Sequence, residues 1–293
     1  MIYIIILLII VLILIYKTYI NNNLKLRKKS ILEKIKKLKE NKNIEDPEFK
    51  QLPKYFLNLE NHKDRLNNLN KQFEKYDIKN YHRIKALNGN KIINLNSGII
   101  DNIEYENNYT NCNKVELAIT LSHIKAIKKA YENNDQIAMI FEDRNEFTLV
   151  PFWQKKIKDI ISDIPSDCDF FLLANKESNN SNDIKLKKLK KFSDFTGLCY
   201  LITKKGINKI IENHCEDNKI IFSKKYNFQN IIFDNGFMDK YNIYSYNISL
   251  FALNNFIFNS SHQTKLDKLT NFININFCDR SEKVIEYYEK FLY

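Results

Sequence analysis

A chain of 293 residues, 44% hydrophobic and 13% aromatic, carries enough apolar material for one large α/β domain or two small ones, which argues against global disorder. The formal charge of +11 raises nucleic-acid binding, but much of the excess sits in Lys25–Lys39 and Lys185–Lys191 without interleaved aromatics, so no nucleic-acid partner is expected. The five cysteines (Cys112, Cys168, Cys199, Cys215, Cys278) form no C-x-x-C pair and are odd in number, which argues against a disulfide framework or a zinc site.

The N-terminus reads MIYIIILLIIVLILIYKTYI. Ile2 to Tyr16 is uncharged, and with Lys17 snorkelling the apolar run reaches Ile20, about the ~20 residues that span a bilayer. No basic segment precedes the run and no small-residue cleavage site follows it, so an uncleaved transmembrane anchor over 1–20 is expected rather than a signal peptide. Lys25, Arg27, Lys28, Lys29, Lys34, Lys36 and Lys37 all follow it, which predicts a single-pass membrane protein with its body facing the cytoplasm. Asn108, Asn179, Asn247 and Asn259 open N-x-S/T sequons that would matter only in a secretory lumen. Residues 21–50 read as a basic stalk with a helix stop at Asp46-Pro47, and 51–293 as the folded body.

Within the body, YFLNL (Tyr55–Leu59) suits a buried parallel strand. Asp64 then caps a helix whose Leu66, Leu69 and Phe73 share one side. YHRIKAL (Tyr81–Leu87) is a second strand, closed by the turn Asn88-Gly89, and Asn94 to Asn113 reads as an irregular loop. Val115–Tyr131 is a helix with Leu117, Leu121, Ile124 and Ile127 on one face. Ile137–Phe141 is the next strand and Trp153–Ile164 another helix. CDFFLLA (Cys168–Ala174) and LCYLIT (Leu198–Thr203) are strands separated by a Lys/Asn-rich excursion, and Lys204–Ile211 is helical. The alternation predicts a Rossmann-type α/β sheet flanked by helices, with ligands at the carboxyl ends of the strands.

On that rule Glu142 and Asp143, ending the run IAMIFED, lie at the mouth of a crevice. A carboxylate pair there suits a divalent cation bridging diphosphate oxygens; equally, Asp143 caps the following loop and Glu142 is solvated.

Four separated segments resemble glycosyltransferase family 25, the group of lipooligosaccharide and procollagen galactosyltransferases. YFLNLENHKDRLNNLNKQFE is similar to its opening strand and helix. YHRIKALNG matches its "AxDG" turn with Asn88 in place of the usual Asp. VELAITLSHIKAIKKAYENN resembles its "LSH" helix and keeps Glu116, Leu121, Ser122 and His123. IAMIFEDRNEF stands where the family has "LILEDD". Downstream, FTGLCYLITKKGINKII resembles "GT-x-x-YLIS-x-x-G", and FDNGFM is similar to a later acidic motif with its Asp at Asp234. The likeness runs over about residues 54–265.

The resemblance implies a GT-A-like fold, a UDP-sugar donor (galactose or glucose), a glycan or protein hydroxyl as acceptor, and often manganese. It further implies Glu142 and Asp143 as metal or ribose contacts and Asp143 and Asp234 as the catalytic carboxylates. Arg65, Asn88, Glu116, Ser122, His123 and Arg144 would line the donor pocket. Each has a structural rival: a packed His123, a Ser122 bonded back to its helix, an Arg65–Asp64 ion pair, a turn at Asp234. The family's third acid is Arg144 here, leaving three readings: a metal held by Asp143 with Glu142 or Glu146, diphosphate neutralised by Arg144 itself, or an inactive binding or scaffold protein of the same fold.

Overall fold

The computed structural model describes residues 45–107, 113–147, 150, 153, 155–174, 185–189, 197–217, 219–222, 240–246 and 250–253. The expected anchor, nearly all of the basic stalk and Asp234 lie outside the described residues. No helix among the described residues is long and apolar enough to cross a membrane.

Asp46-Pro47, expected to stop a helix, starts one. Asp46 accepts from Phe49 N at 3.0 Å and Pro47 takes the first position of α1 (Pro47–Gln51), where a missing N–H costs nothing. The other Asp46 oxygen accepts from Ile157 N at 2.6 Å, joining this helix to α4 (Ile157–Ser162). Next comes β1 (Lys54–Asn58), buried along its whole length. Even Lys54 is fully buried: its Nζ donates to the carbonyls of Phe49 and Leu52, closing the end of α1, and burial pulls its pKa down to about 7.

α2 (Lys63–Lys75) follows, with His62 rather than Asp64 at the N-cap and no side chain capping it. β2 (Tyr81–Lys85) leads to a short 3-10 turn at Gly89–Lys91, capped by Asn88, which accepts from Asn90 N at 3.0 Å. Gly89 is required by close approach, since a Cβ there would meet Lys114 O at 2.8 Å. The segment expected as a loop contains the hairpin β3 (Ser97–Ile100) and β4 (Ile103–Asn107). Its turn residues, Asp101 and Asn102, both have positive φ, the type I′ geometry that matches strand twist. α3 (Lys114–Glu132) precedes β5 (Ile137–Glu142) and the two-residue β6 (Asn145–Glu146). Then come β7 (Phe170–Leu172), β8 (Leu186–Lys188), β9 (Cys199–Thr203), α5 (Lys204–His214), β10 (Cys215–Glu216), β11 (Lys219–Phe222), β12 (Ile243–Tyr246) and β13 (Ala252–Leu253).

The fold is mixed α/β, a central sheet flanked by helices. Its seven described strands run β2-β1-β5-β9-β7-β12-β8. β1 pairs in parallel with both β2 and β5, while β9 runs antiparallel between β5 and β7. A second sheet, β10-β11-β4-β3, carries the hairpin. Alternation along the central strands separates two cores. Tyr55, Leu57, Ala138, Ile140, Tyr200 and Ile202 join the core that includes Leu117, Leu121 and Ile124 of α3. On the other side Phe56, Phe73, Phe141 and Phe147 pack ring against ring in stacked, tilted and edge-to-face pairs, with centroids 5.4–6.0 Å apart. The chain leaves β1 toward β2 on one side and returns as β5 on the other, so a topological switch point opens at the carboxyl ends of β1 and β5.

Candidate functional site

At that switch point the last residue of β1 meets the first residue after β5. Asn58, 1% exposed, donates from Nδ2 to Asp143 Oδ2 at 2.7 Å and to the His62 carbonyl at 3.1 Å. Arg65, one turn into α2, donates from Nη1 to Asp143 Oδ1 at 3.2 Å. The His62 ring stands 3.8 Å from Asp143 Oδ2. Asp143 itself is 5% exposed. A buried carboxylate is tolerated here because each oxygen receives a donor and one donor is a cation.

The loop beyond β5 is tied down on both sides. Asn145, fully buried, donates from Nδ2 to the carbonyls of Glu142 and Leu198, and Phe147 N donates to Gln72 Oε1 of α2 at 2.8 Å. Arg144 therefore sits in a short, fixed turn beside Asp143 rather than in a free loop. Two buried acceptors in these ties, Asn58 Oδ1 and Asn145 Oδ1, have no partner among the described residues.

Glu142 and Asp143 do not converge. Pairing of Glu142 with Leu57 puts it on the α3 side, where its charge bears on Tyr200, whereas Asp143 turns toward Asn58 and α2. Burial raises the Glu142 pKa, with the Arg144 cation acting in opposition and the Asp143 charge reinforcing the rise. Since the folded protein holds this proton more tightly than the unfolded chain, stability falls as pH climbs from the unfolded value of about 4.3 through the folded one. Glu142→Gln is therefore expected to melt higher than the parent, with a gap that widens as pH rises above about 4 in differential scanning calorimetry.

The other sequence candidates fall into two groups. Asn88 and Glu116 lie where the 3-10 turn abuts the start of α3. Glu116 closes a capping box, its carboxylate accepting from Asn113 N at 2.9 Å while Asn113 accepts from Val115 and Glu116 N. Ser122 and His123 lie deeper. Ser122 Oγ donates to the Ala118 carbonyl at 2.6 Å and accepts from Leu87 N at 2.9 Å, stitching α3 to the end of β2. His123, fully buried, places Nδ1 3.0 Å from the Tyr200 hydroxyl, and burial lowers its pKa to about 3, so it is neutral. As folded, both are covered by protein. Reading the sequence overlooked Asn58, His62 and Tyr200; the available signal was a polar residue closing an apolar strand at the expected carboxyl end.

The arrangement is compatible with an anion: one guanidinium oriented by a buried carboxylate, a second arginine in the adjoining turn, and an uncapped helix end beside them. The model of glycosyltransferase family 25 (LPS biosynthesis protein) matches residues 51–270. The chain belongs to glycosyltransferase family 25. A comparison with curated proteins finds no match. In this family 25 chain the matched segment contains the whole crevice as well as Asp234.

Manganese, implied by the family resemblance, does not fit the described donor set. In nucleotide sites such a dication takes one or two protein carboxylates and completes its shell with phosphate and water, and among the described residues no group of three or more His, Cys, Asp or Glu side chains stands together. Asp143 already holds Arg65. A dication bound to Asp143 would gain that carboxylate's attraction but would have to displace Arg65 or stand against its guanidinium, whose repulsion at about 4 Å is about 8 kcal/mol, twice the ~4 kcal/mol of two unit charges at an effective dielectric of about 20.

Proposed function

We propose that this family 25 protein is a membrane-anchored glycosyltransferase of the GT-A type that moves a hexose, galactose or glucose, from a UDP-sugar to a glycan or protein hydroxyl. The observation that carries the reading is the Asn58–Asp143–Arg65 cluster at the switch point of the central sheet, inside the segment matched by the family model. The domain plan is an anchor over 1–20, a basic stalk, and a transferase body facing the cytoplasm. In the reaction the acceptor oxygen bonds to the anomeric carbon as the bond from that carbon to the diphosphate breaks. The electron pair of the broken bond leaves with UDP, and the acceptor proton passes to a carboxylate, for which Asp234 is the candidate.

The geometry contributes at two points. Arg65, held by Asp143, and Arg144, held in its turn, supply positive charge where the diphosphate oxygens gain negative charge. The fixed turn means that these cations need little reorganisation when the bond breaks. The test is UDP release by the full-length protein in detergent, supplied with UDP-galactose or UDP-glucose and a range of glycan and peptide acceptors. Acceptor-stimulated release is the expected result. No release with either donor, together with no UDP-induced rise in melting temperature, would establish the inactive scaffold reading instead.

A further inference from the structure

We propose that the leaving diphosphate is neutralised by Arg65 and Arg144 in place of a divalent cation, with Asp143 as a positioning residue that orients Arg65. The inference rests on the nucleotide-sugar reading of the same crevice and goes beyond it by naming what stabilises the leaving group.

Three features carry it. First, the two carboxylates that would form a cation site point to different sides of the sheet. Asp143 faces Asn58 and α2, and Glu142, in register with Leu57, lies on the α3 side of the sheet. Second, both Asp143 oxygens already have donors, Asn58 at 2.7 Å and Arg65 at 3.2 Å, so binding a cation would mean breaking a nearly buried ion pair. The Arg65 side chain keeps 17% of its surface exposed, and Asp143 fixes its Nη1 edge. A planar fork held on one edge is well suited to phosphate oxygens. Third, the residue that follows Asp143 is the cation Arg144, in a turn whose backbone is tied down by the Asn145 and Phe147 hydrogen bonds. The charges of Arg144, Asp143 and Arg65 all act on Glu142, so the four groups share one field. Beside them α2 begins with no side-chain cap, so its first N–H groups favour an anion.

The experiment uses full-length protein treated with EDTA, with and without added manganese, and measures both UDP-hexose turnover and UDP binding by calorimetry. Turnover in EDTA within about twofold of that in manganese is expected, because arginines rather than a metal stabilise the leaving group. Arg65→Lys is expected to raise the donor KM about tenfold, since one point charge replaces the fork, and Arg144→Asp to lower kcat at least about tenfold with no rescue by manganese. Asp143→Asn should raise KM and weaken UDP binding while leaving the protein insensitive to EDTA, a signature that a metal ligand would not give. EDTA inactivation reversed by manganese, or a manganese-dependent gain of activity in Arg144→Asp, would overturn the proposal. If no donor is turned over, the transferase reading fails but the clamp is still decided: UDP binding in EDTA that Arg65→Lys weakens supports it, and binding that requires manganese, or no binding, overturns it.

Discussion

Asp143→Ala is expected to lose transfer activity and thermal stability together. The wild-type carboxylate is 5% exposed and joins Arg65 at 3.2 Å to Asn58 at 2.7 Å, so its removal leaves a cation and a buried amide without their shared partner. Breaking a buried pair on one side costs about 3–5 kcal/mol, and because Arg65 retains 17% exposure the lower end, about 3 kcal/mol, applies here. For a body of this size that is a fall in melting temperature of about 6–12 °C. The same substitution releases Arg65 from its orientation, for which a loss of about a hundredfold in kcat/KM is expected. Calorimetry and donor kinetics on one protein sample check both. Asp143→Asn, which keeps an acceptor for Asn58, should recover part of the stability and less of the activity.

Gly206→Ala should destabilise the fold, although alanine is the better helix former. Gly206 lies in the first turn of α5, where Thr203 Oγ1 accepts its N–H at 3.2 Å. A Cβ built on it collides with the Asp169 carbonyl oxygen and approaches Ile202 Cγ1 at 3.0 Å. Propensity would favour alanine by up to about 1 kcal/mol. Forcing α5 off β7 and β9 costs about 1–3 kcal/mol, and more when the obstacle is backbone, which cannot rotate away. The clash wins, and a fall in melting temperature of about 4–8 °C is expected, corresponding to about 2 kcal/mol. Asp169 adds to the effect, since its carboxylate, fully buried, binds Lys209 of the same helix at 3.0 Å.

The parts of the fold legible in the sequence were those in which local pattern and tertiary role agree. β1, β2, β5, β9, α2, α3 and α5 all carry apolar runs or helical spacing, and all formed within a few residues of expectation. What was missed depends on partners distant in the chain. β8 is a lysine-bearing edge strand whose residues gain strand geometry only by pairing with β12. The β3–β4 hairpin hides in an Asn-rich stretch, although Asp101-Asn102 is suited to a turn with positive φ at both positions. Lys54 lies just before the strand expected from Tyr55, yet it is buried, its ammonium satisfied by two carbonyls of the preceding turn.

The candidate site shows the same limit. Asp143, Arg65 and Arg144 could be singled out from the acidic strand end and the family likeness, and the structure joins Asp143 to Arg65 with Arg144 in the turn that follows. That Glu142 diverges from Asp143 follows from strand alternation, and could have been read from the run IAMIFED itself. The commitment of Ser122 to Leu87 and of His123 to Tyr200 could not, because each partner lies more than one element away.

The most direct test of the central claim is a structure of the full-length protein with UDP bound. The expected result places the diphosphate at the carboxyl ends of β1 and β5, within hydrogen-bond reach of Arg65 and Arg144, with the Asp143–Arg65 pair intact. A diphosphate bound elsewhere on the protein, or one bridged to Asp143 by a cation with Arg65 displaced, would contradict the account.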